Sequence, residues 1–343
     1  MRLVPIALAP SRARPRALPS QRGLTLVELM VGLTLGLLIT VALLRLFADV
    51  STSGQNLQRT SAEVENGRYA GELLRDDLQM AGYYGEAPFA GAAATNPDPC
   101  AIAATDFTAS PPAFPAAVRG YGATEALSCV ASRRSGTDAL AVRRVDTNAI
   151  SVDTLGASNA QWYLQTSYCE TDATATPLVF DKSPVAFTLR NRACTAMNPL
   201  RAFVSRIYFV ADCNRCGRGG DTVPTLKRVD LLGSNKVETA LVEGVEVLRF
   251  EYGFDTNGDG TADTFRTTAD SAGAASNWGN VVSLKLHYVV RSNEKASGVG
   301  LSGTQTFTLG NAGVYTVVDD GYLRRAYSTT VRLINVSSAR EAQ

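Results

Sequence analysis

Residues 24–44, LTLVELMVGLTLGLLITVALL, form an unbroken apolar run in which Glu28 is the only charge. About 20 consecutive apolar residues make a helix long enough to cross the hydrocarbon of a bilayer. Signal-peptide cores usually span about 7–15 residues and end at a small-residue cleavage site. This run instead passes into Arg45-Leu46-Phe47 without one. Beyond it the chain becomes amphipathic. Leu57, Val64, Gly71 and Leu78 recur at heptad spacing with Leu74 and Ala81 beside them. Gln, Arg, Glu and Asp fill the positions between, on the expected solvated face. No proline falls between residues 24 and 82, so a single helix is predicted, roughly 85–90 Å long at 1.5 Å per residue. Residues 24–46 would be its transmembrane half and residues 47–82 an amphipathic stem.

The pattern then changes twice. Residues 83–126 are rich in Ala, Pro, Gly and Thr, with Pro88, Pro97, Pro99, Pro111, Pro112 and Pro115, and read as a variable loop region. Over 127–343 strand-like segments dominate, at 138–145, 161–168, 203–211, 225–232, 236–242, 245–254, 281–291, 304–309 and 327–336. In one of them Leu284, Leu286, Tyr288 and Val290 face one way, while Ser283, Lys285, His287, Val289 and Arg291 face the other. His287, the sole histidine, therefore reads as a surface or sheet-edge residue. Strands after one long helix predict an α+β chain, with a β-rich globular head whose antiparallel sheet packs on the stem.

Composition narrows the classes. The 343 residues are 45% hydrophobic, enough to build a core, and the 19% charged share excludes a disordered polyelectrolyte. A net charge of +1 gives no basic excess for nucleic-acid binding, so no nucleic-acid partner is expected. That neutrality hides an asymmetry. Residues 1–23 hold Arg2, Arg12, Arg14, Arg16 and Arg22 and no acid; without them 28 basic residues face 32 acidic ones, a net charge of −4. Arginines retained on the cytoplasmic side put the amino terminus inside and the head outside.

Glu28 is costly inside a bilayer and suggests a function. The stretch Gln21-Arg22-Gly23-Leu24-Thr25-Leu26-Val27-Glu28-Leu29 resembles the class III signal sequence of type IV pilins and type II secretion pseudopilins. The resemblance implies a leader over 1–23, cut by the prepilin peptidase after Gly23, and N-methylation of the new terminal residue, Leu24. It also implies the type IV pilin fold. Leu24 stands where phenylalanine is commonest, and the long, proline-rich leader leaves the start codon open. Glu28 is the acidic fifth residue of the mature chain. Pairing with the α-amino group of a neighbouring subunit would offset the cost of burying either charge and set subunit register.

Within that family, residues 78–85 (LQMAGYYG), 247–252 (VLRFEY) and 325–335 (RAYSTTVRLIN) are similar to the PilW- and GspJ-like group, whereas 86–136 departs from it. The resemblance implies a minor pilin of the inner membrane and then of the pilus at the cell surface. Its expected partners are membrane lipid, the other minor pilins, the major pilin and the inner-membrane assembly platform, and its expected role is to prime the fibre. A type II secretion minor pseudopilin and a pilus-tip adhesin or DNA-contacting module stay open as alternatives.

Two further features carry chemistry. Asp255, Asn257, Asp259 and Asp263 place oxygen side chains at positions 1, 3, 5 and 9 of a loop with Gly260 at position 6. This is the first part of an EF-hand pattern, without its glutamate at position 12, where Thr267 stands, and it predicts a structural calcium ion; the alternative is a turn rich in Asn, Asp and Gly. Cys100, Cys129, Cys169, Cys194, Cys213 and Cys216 all follow the membrane segment, where an even count reads as disulfides. Fifteen pairings are possible; the expectation is the sequential one, 100–129, 169–194 and 213–216. A half zinc site or a redox pair at Cys213-Asn214-Arg215-Cys216 is the competing reading. No serine elbow, zinc-binding helix or phosphate loop is present, so no enzyme is expected.

Overall fold

The computed structural model describes residues 23–85, 93–156, 159–173, 177–233, 235–267, 275–296 and 303–342. The expected leader lies outside these apart from Gly23. Two compact units divide the chain, one ending at Gly54 and the other starting at Gln55.

Helix α1 spans Leu26–Met80, close to the predicted 24–82. Every residue from 23 to 51 is exposed, and this part is apolar enough to cross a membrane. The helix stops at Gly82, whose backbone takes a φ of +74° and whose N–H donates to the Arg143 carbonyl at 2.9 Å.

In the second unit, the buried face of α1 is Glu63, Gly67, Ala70, Gly71, Leu74, Asp77 and Leu78. Their steps of three and four trace one helix face. This corrects the heptad expectation: Leu57 is exposed, and two acids expected on the solvated side are buried. The reason is close approach. A Cβ at Gly67 would overlap the Tyr327 ring and one at Gly71 the Tyr288 hydroxyl, so small residues, rather than leucines, let the head reach the helix backbone.

The segment expected to be a loop carries four short strands, β1 (Ala93–Thr95), β2 (Thr108–Ala109), β3 (Pro112–Pro115) and β4 (Val118–Tyr121). The strands that follow are β5 (Ala139–Ile150), β6 (Tyr163–Thr166), β7 (Leu178–Asp181), β8 (Leu200–Ala211), β9 (Thr225–Leu232) and β10 (Asn235–Glu243). After them come β11 (Val245–Phe254), β12 (Thr264–Thr267), β13 (Val281–Arg291), β14 (Thr304–Thr308), β15 (Val314–Val318) and β16 (Arg324–Arg332). Helix α2 (Glu170–Ala173) is a single turn, and α3 (Ile334–Glu341) takes residues expected to finish the last strand.

The head is α+β with stem α1, but its strands form several sheets rather than one. A seven-stranded sheet runs β10-β9-β8-β5-β4, with β6 joining β8 and β7 joining β6. A four-stranded sheet runs β12-β11-β13-β16, and β1-β3-β2 and β14-β15 make two smaller ones. Both large sheets meet the stem in one core, where Ala70, Leu74 and Leu78 join Leu140, Val142 and Tyr208 from the first and Phe250, Leu286 and Tyr288 from the second. Burial of these apolar surfaces, worth roughly 25 cal/mol per Å2, is the main force holding the layers.

His287 is buried, which corrects its expected surface position. Its face of β13 is covered by the β14–β15 segment, where Val289 and Val247 pack with Leu309, Phe307 and Tyr315. His287 Nε2 lies 3.0 Å from Glu251 Oε1 and Nδ1 lies 3.1 Å from Ser328 Oγ. Glu251 accepts the Asn311 backbone N–H at 2.8 Å and its side-chain amide at 3.1 Å. These polar groups tie the covering segment to the sheet.

Candidate processing and assembly site

Helix α1 begins where the predicted cleavage site ends. Thr25 Oγ1 accepts the backbone N–H of Glu28 at 3.2 Å, so Thr25 caps the first turn and Glu28 occupies the third helical position. A carboxylate there also suits the positive end of the helix dipole. Gly23, Leu24 and Glu28 are all exposed, which presents the Gly23–Leu24 bond and the Glu28 carboxylate on the same short segment. Along the apolar helix, the hydroxyls of Thr34 and Thr40 donate back to the carbonyls of Val31 at 2.9 Å and Gly36 at 2.8 Å. They thus carry no unpaired donor into an apolar setting. Gly32 and Gly36, overlooked in the hydropathy reading, stand four apart; nothing lies within 4 Å of either position. Their G-x-x-x-G spacing is the signal that marks a close helix-packing face.

The stem is fastened to the head by charge as well as by apolar contact. Asp77 Oδ1 accepts Arg206 Nη1 at 2.6 Å and Arg144 Nε at 3.3 Å, and Oδ2 accepts the Tyr208 hydroxyl at 2.9 Å. Arg206 also bonds Asp230 at 3.0 Å. Burial, and next the charge of Asp77, act on the phenol of Tyr208 and raise it well above the ordinary tyrosine range. Periodicity alone could not find this set, because its partners come from strands more than 60 residues away.

The four oxygen residues of the expected calcium loop share the turn between β11 and β12. Asp255 is fully buried; its carboxylate accepts the backbone N–H groups of Asn257 at 3.2 Å, Gly258 at 2.6 Å and Gly260 at 2.9 Å. Arg340 Nε from α3 adds a fourth bond at 2.6 Å. Burial acts to raise the Asp255 carboxyl, but Arg340 and the glycine N–H groups outweigh it and hold the group below the usual range. Gly258 and Gly260 take φ of +88° and +78°, conformations that glycine adopts without strain. Asn257 Nδ2 sits between Asp259 Oδ2 at 3.1 Å and Asp263 Oδ1 at 3.3 Å, so an N–H donor faces these two acids. Among the described residues no set of three or more Asp, Glu, His or Cys side chains is arranged to hold a metal. As folded, a guanidinium and backbone N–H groups serve the Asp255 carboxylate.

Three disulfides join Cys100 to Cys129, Cys169 to Cys194 and Cys213 to Cys216, which is the sequential pairing.

Residues 18–44 match the prokaryotic N-terminal methylation motif. Residues 207–335, from within β8 to the start of α3, match the family described as Type IV Pilus-assembly protein W, PilW. The two matches make the chain similar to type IV pilus minor pilins of the PilW kind. Neither the curated proteins nor the solved structures compared with the chain include a match. The methylation motif covers Gly23, Leu24 and Glu28, and the PilW segment contains the Asp255 loop and the Cys213–Cys216 disulfide. The matched family is one of pilus assembly, and the exposed apolar helix with its motif is consistent with a membrane-anchored pilin.

Proposed function

We propose that the chain is a minor pilin that primes type IV pilus assembly. Its arginine-rich leader stays in the cytoplasm, α1 crosses the inner membrane once, and the head lies in the periplasm until it is carried to the pilus. Prepilin peptidase cuts after Gly23 and methylates Leu24. The head is a pilin-type α+β unit enlarged by additional sheets on the stem. Other minor pilins, the major pilin and the inner-membrane platform are its partners. Its work is done by binding rather than by catalysis.

The observation that carries this reading is the position of Glu28 in the first turn of an exposed apolar helix, five residues after Gly23 within the methylation motif. When helices leave lipid and bundle, the carboxylate and a neighbour's terminal amine are each costly alone and offset each other when paired. Full-length Glu28→Ala, co-expressed with the other pilins, should co-purify with them at least about tenfold less well, the factor carried by 1.4 kcal/mol. Co-purification equal to that of the unaltered chain would overturn the role of Glu28.

A further inference from the structure

Cys213 and Cys216 close a four-residue ring, Cys-Asn-Arg-Cys, between β8 and β9. The other two disulfides span 29 and 25 residues and each has a buried sulfur-bearing residue, Cys100 and Cys169. Loop-closure entropy grows with ring size, so the four-residue ring restrains the unfolded chain least. Cys216 lies in an exposed run from Arg215 to Gly220, within reach of an incoming thiolate.

A buried cation also faces this sulfur. Lys227 on β9 is only 3% exposed, and its Nζ donates to Cys216 Sγ at 3.3 Å. Its other partner is Glu238 Oε1 on β10, at 2.8 Å. A disulfide sulfur is a weak acceptor for an ammonium, whereas a thiolate is a strong one. The remaining charges of the turn are otherwise engaged or exposed. Asp221 accepts the backbone N–H groups of Asn214 at 2.8 Å and Arg215 at 2.9 Å, and Glu243 accepts Asn214 Nδ2 at 2.5 Å. Arg215 and Arg218 are exposed basic residues of the same turn, and Arg215 acts on Asp221.

We propose that Cys213–Cys216 is a thiol–disulfide exchange site whose substrate is a dithiol, and that Lys227 stabilises the reduced form as the Cys216 thiolate. A thiolate of the dithiol attacks Cys216 Sγ; the Cys213–Cys216 bond breaks and Cys213 leaves as a thiolate that takes a proton. The second thiolate of the reductant then attacks its own sulfur in the mixed disulfide. A disulfide forms in the reductant, and Cys216 is released as a thiolate facing Lys227. Two electrons pass from the dithiol to the protein.

The test uses the full chain in detergent micelles, equilibrated with graded ratios of reduced to oxidised dithiothreitol, then alkylated and mapped by mass spectrometry. Cys213 and Cys216 should be labelled together at ratios that leave the other two disulfides closed. Lys227→Met should raise the half-reduction ratio by about threefold or more, and Glu238→Gln should lower it. In the reduced protein, thiolate ultraviolet absorbance should appear at higher pH in Lys227→Met than in the unaltered chain. Opening of all three disulfides together, or of Cys213–Cys216 last, would overturn the proposal. So would a ratio and absorbance profile indifferent to Lys227→Met. If that variant fails to fold, the order of reduction in the unaltered chain and the direction of the Glu238→Gln shift decide.

Discussion

The Tyr288 hydroxyl donates to the Gly67 carbonyl at 2.8 Å, from the centre of the four-stranded sheet to the backbone of the stem helix. The Tyr288 ring stacks on Tyr327 with centroids 5.2 Å apart and planes 9° from parallel. Gly67 and Gly71 leave the space these two rings occupy. The docking surface is thus two aromatic rings seated on two missing Cβ atoms.

Gly67→Ala should destabilise the head. Alanine favours the helix by up to about 1 kcal/mol, but pushing the Tyr327 ring out of a packed position costs about 1–3 kcal/mol. A net loss of about 1–2 kcal/mol is expected in chemical unfolding of the detergent-solubilised chain. Greater stability than the unaltered chain would show that the ring moves aside freely.

Asp77→Ala should cost more, about 3 kcal/mol, because it leaves the Arg144 and Arg206 guanidinium groups and the Tyr208 hydroxyl without their shared acceptor. Asp230 keeps one bond to Arg206 and limits the loss. Unfolding curves followed by tryptophan fluorescence measure it; a change below about 0.5 kcal/mol, the scale of an ordinary surface substitution, would remove Asp77 as the fastening residue.

Acid should loosen the turn before β16. Hydrogen bonds from Arg324 hold the Asp320 carboxyl at about 2, below the ordinary value of about 3.9. A carboxyl depressed in the folded state contributes stability that is present above its unfolded value and lost as pH falls through its folded value. The Asp320 contribution should therefore fade between about pH 4 and pH 2. Asp320→Asn should flatten that part of the stability profile, and an unchanged slope would count against the Arg324 bonds.

In the Asp255 loop Arg340 supplies a cation to the buried carboxylate. Melting of the full chain should be unchanged by calcium or by chelator, whereas Arg340→Ala should lower the melting temperature by leaving Asp255 buried without its partner. A calcium-dependent rise in melting would mean that the loop releases Arg340 and gathers Asp255, Asn257, Asp259 and Asp263 around an ion.

Much of this architecture is legible in order along the chain. The α1 limits, the strands 225–232, 245–254 and 281–291, and the Gly23–Glu28 spacing all follow from local periodicity and motif. What escaped is non-local. Strands β1 to β4 are two to four residues long, the first three rich in Ala and Pro, and too short to show alternation. Helix α3 has no side-chain cap bond to announce it. His287 is buried by a segment that returns later in the chain, and Asp255 meets Arg340 across 85 positions. The candidate terminus was readable because all of its parts lie within a dozen residues. The stem fastening was not, because acids on a helix face read as solvated until their strand partners are known.

The account rests on maturation at Gly23 followed by incorporation into a fibre. Mass analysis of the chain recovered from sheared surface fibres tests both at once. The predicted result is a chain present in the fibres that begins at N-methylated Leu24. A chain absent from the fibres and held in the membrane with residues 1–23 still attached would contradict it.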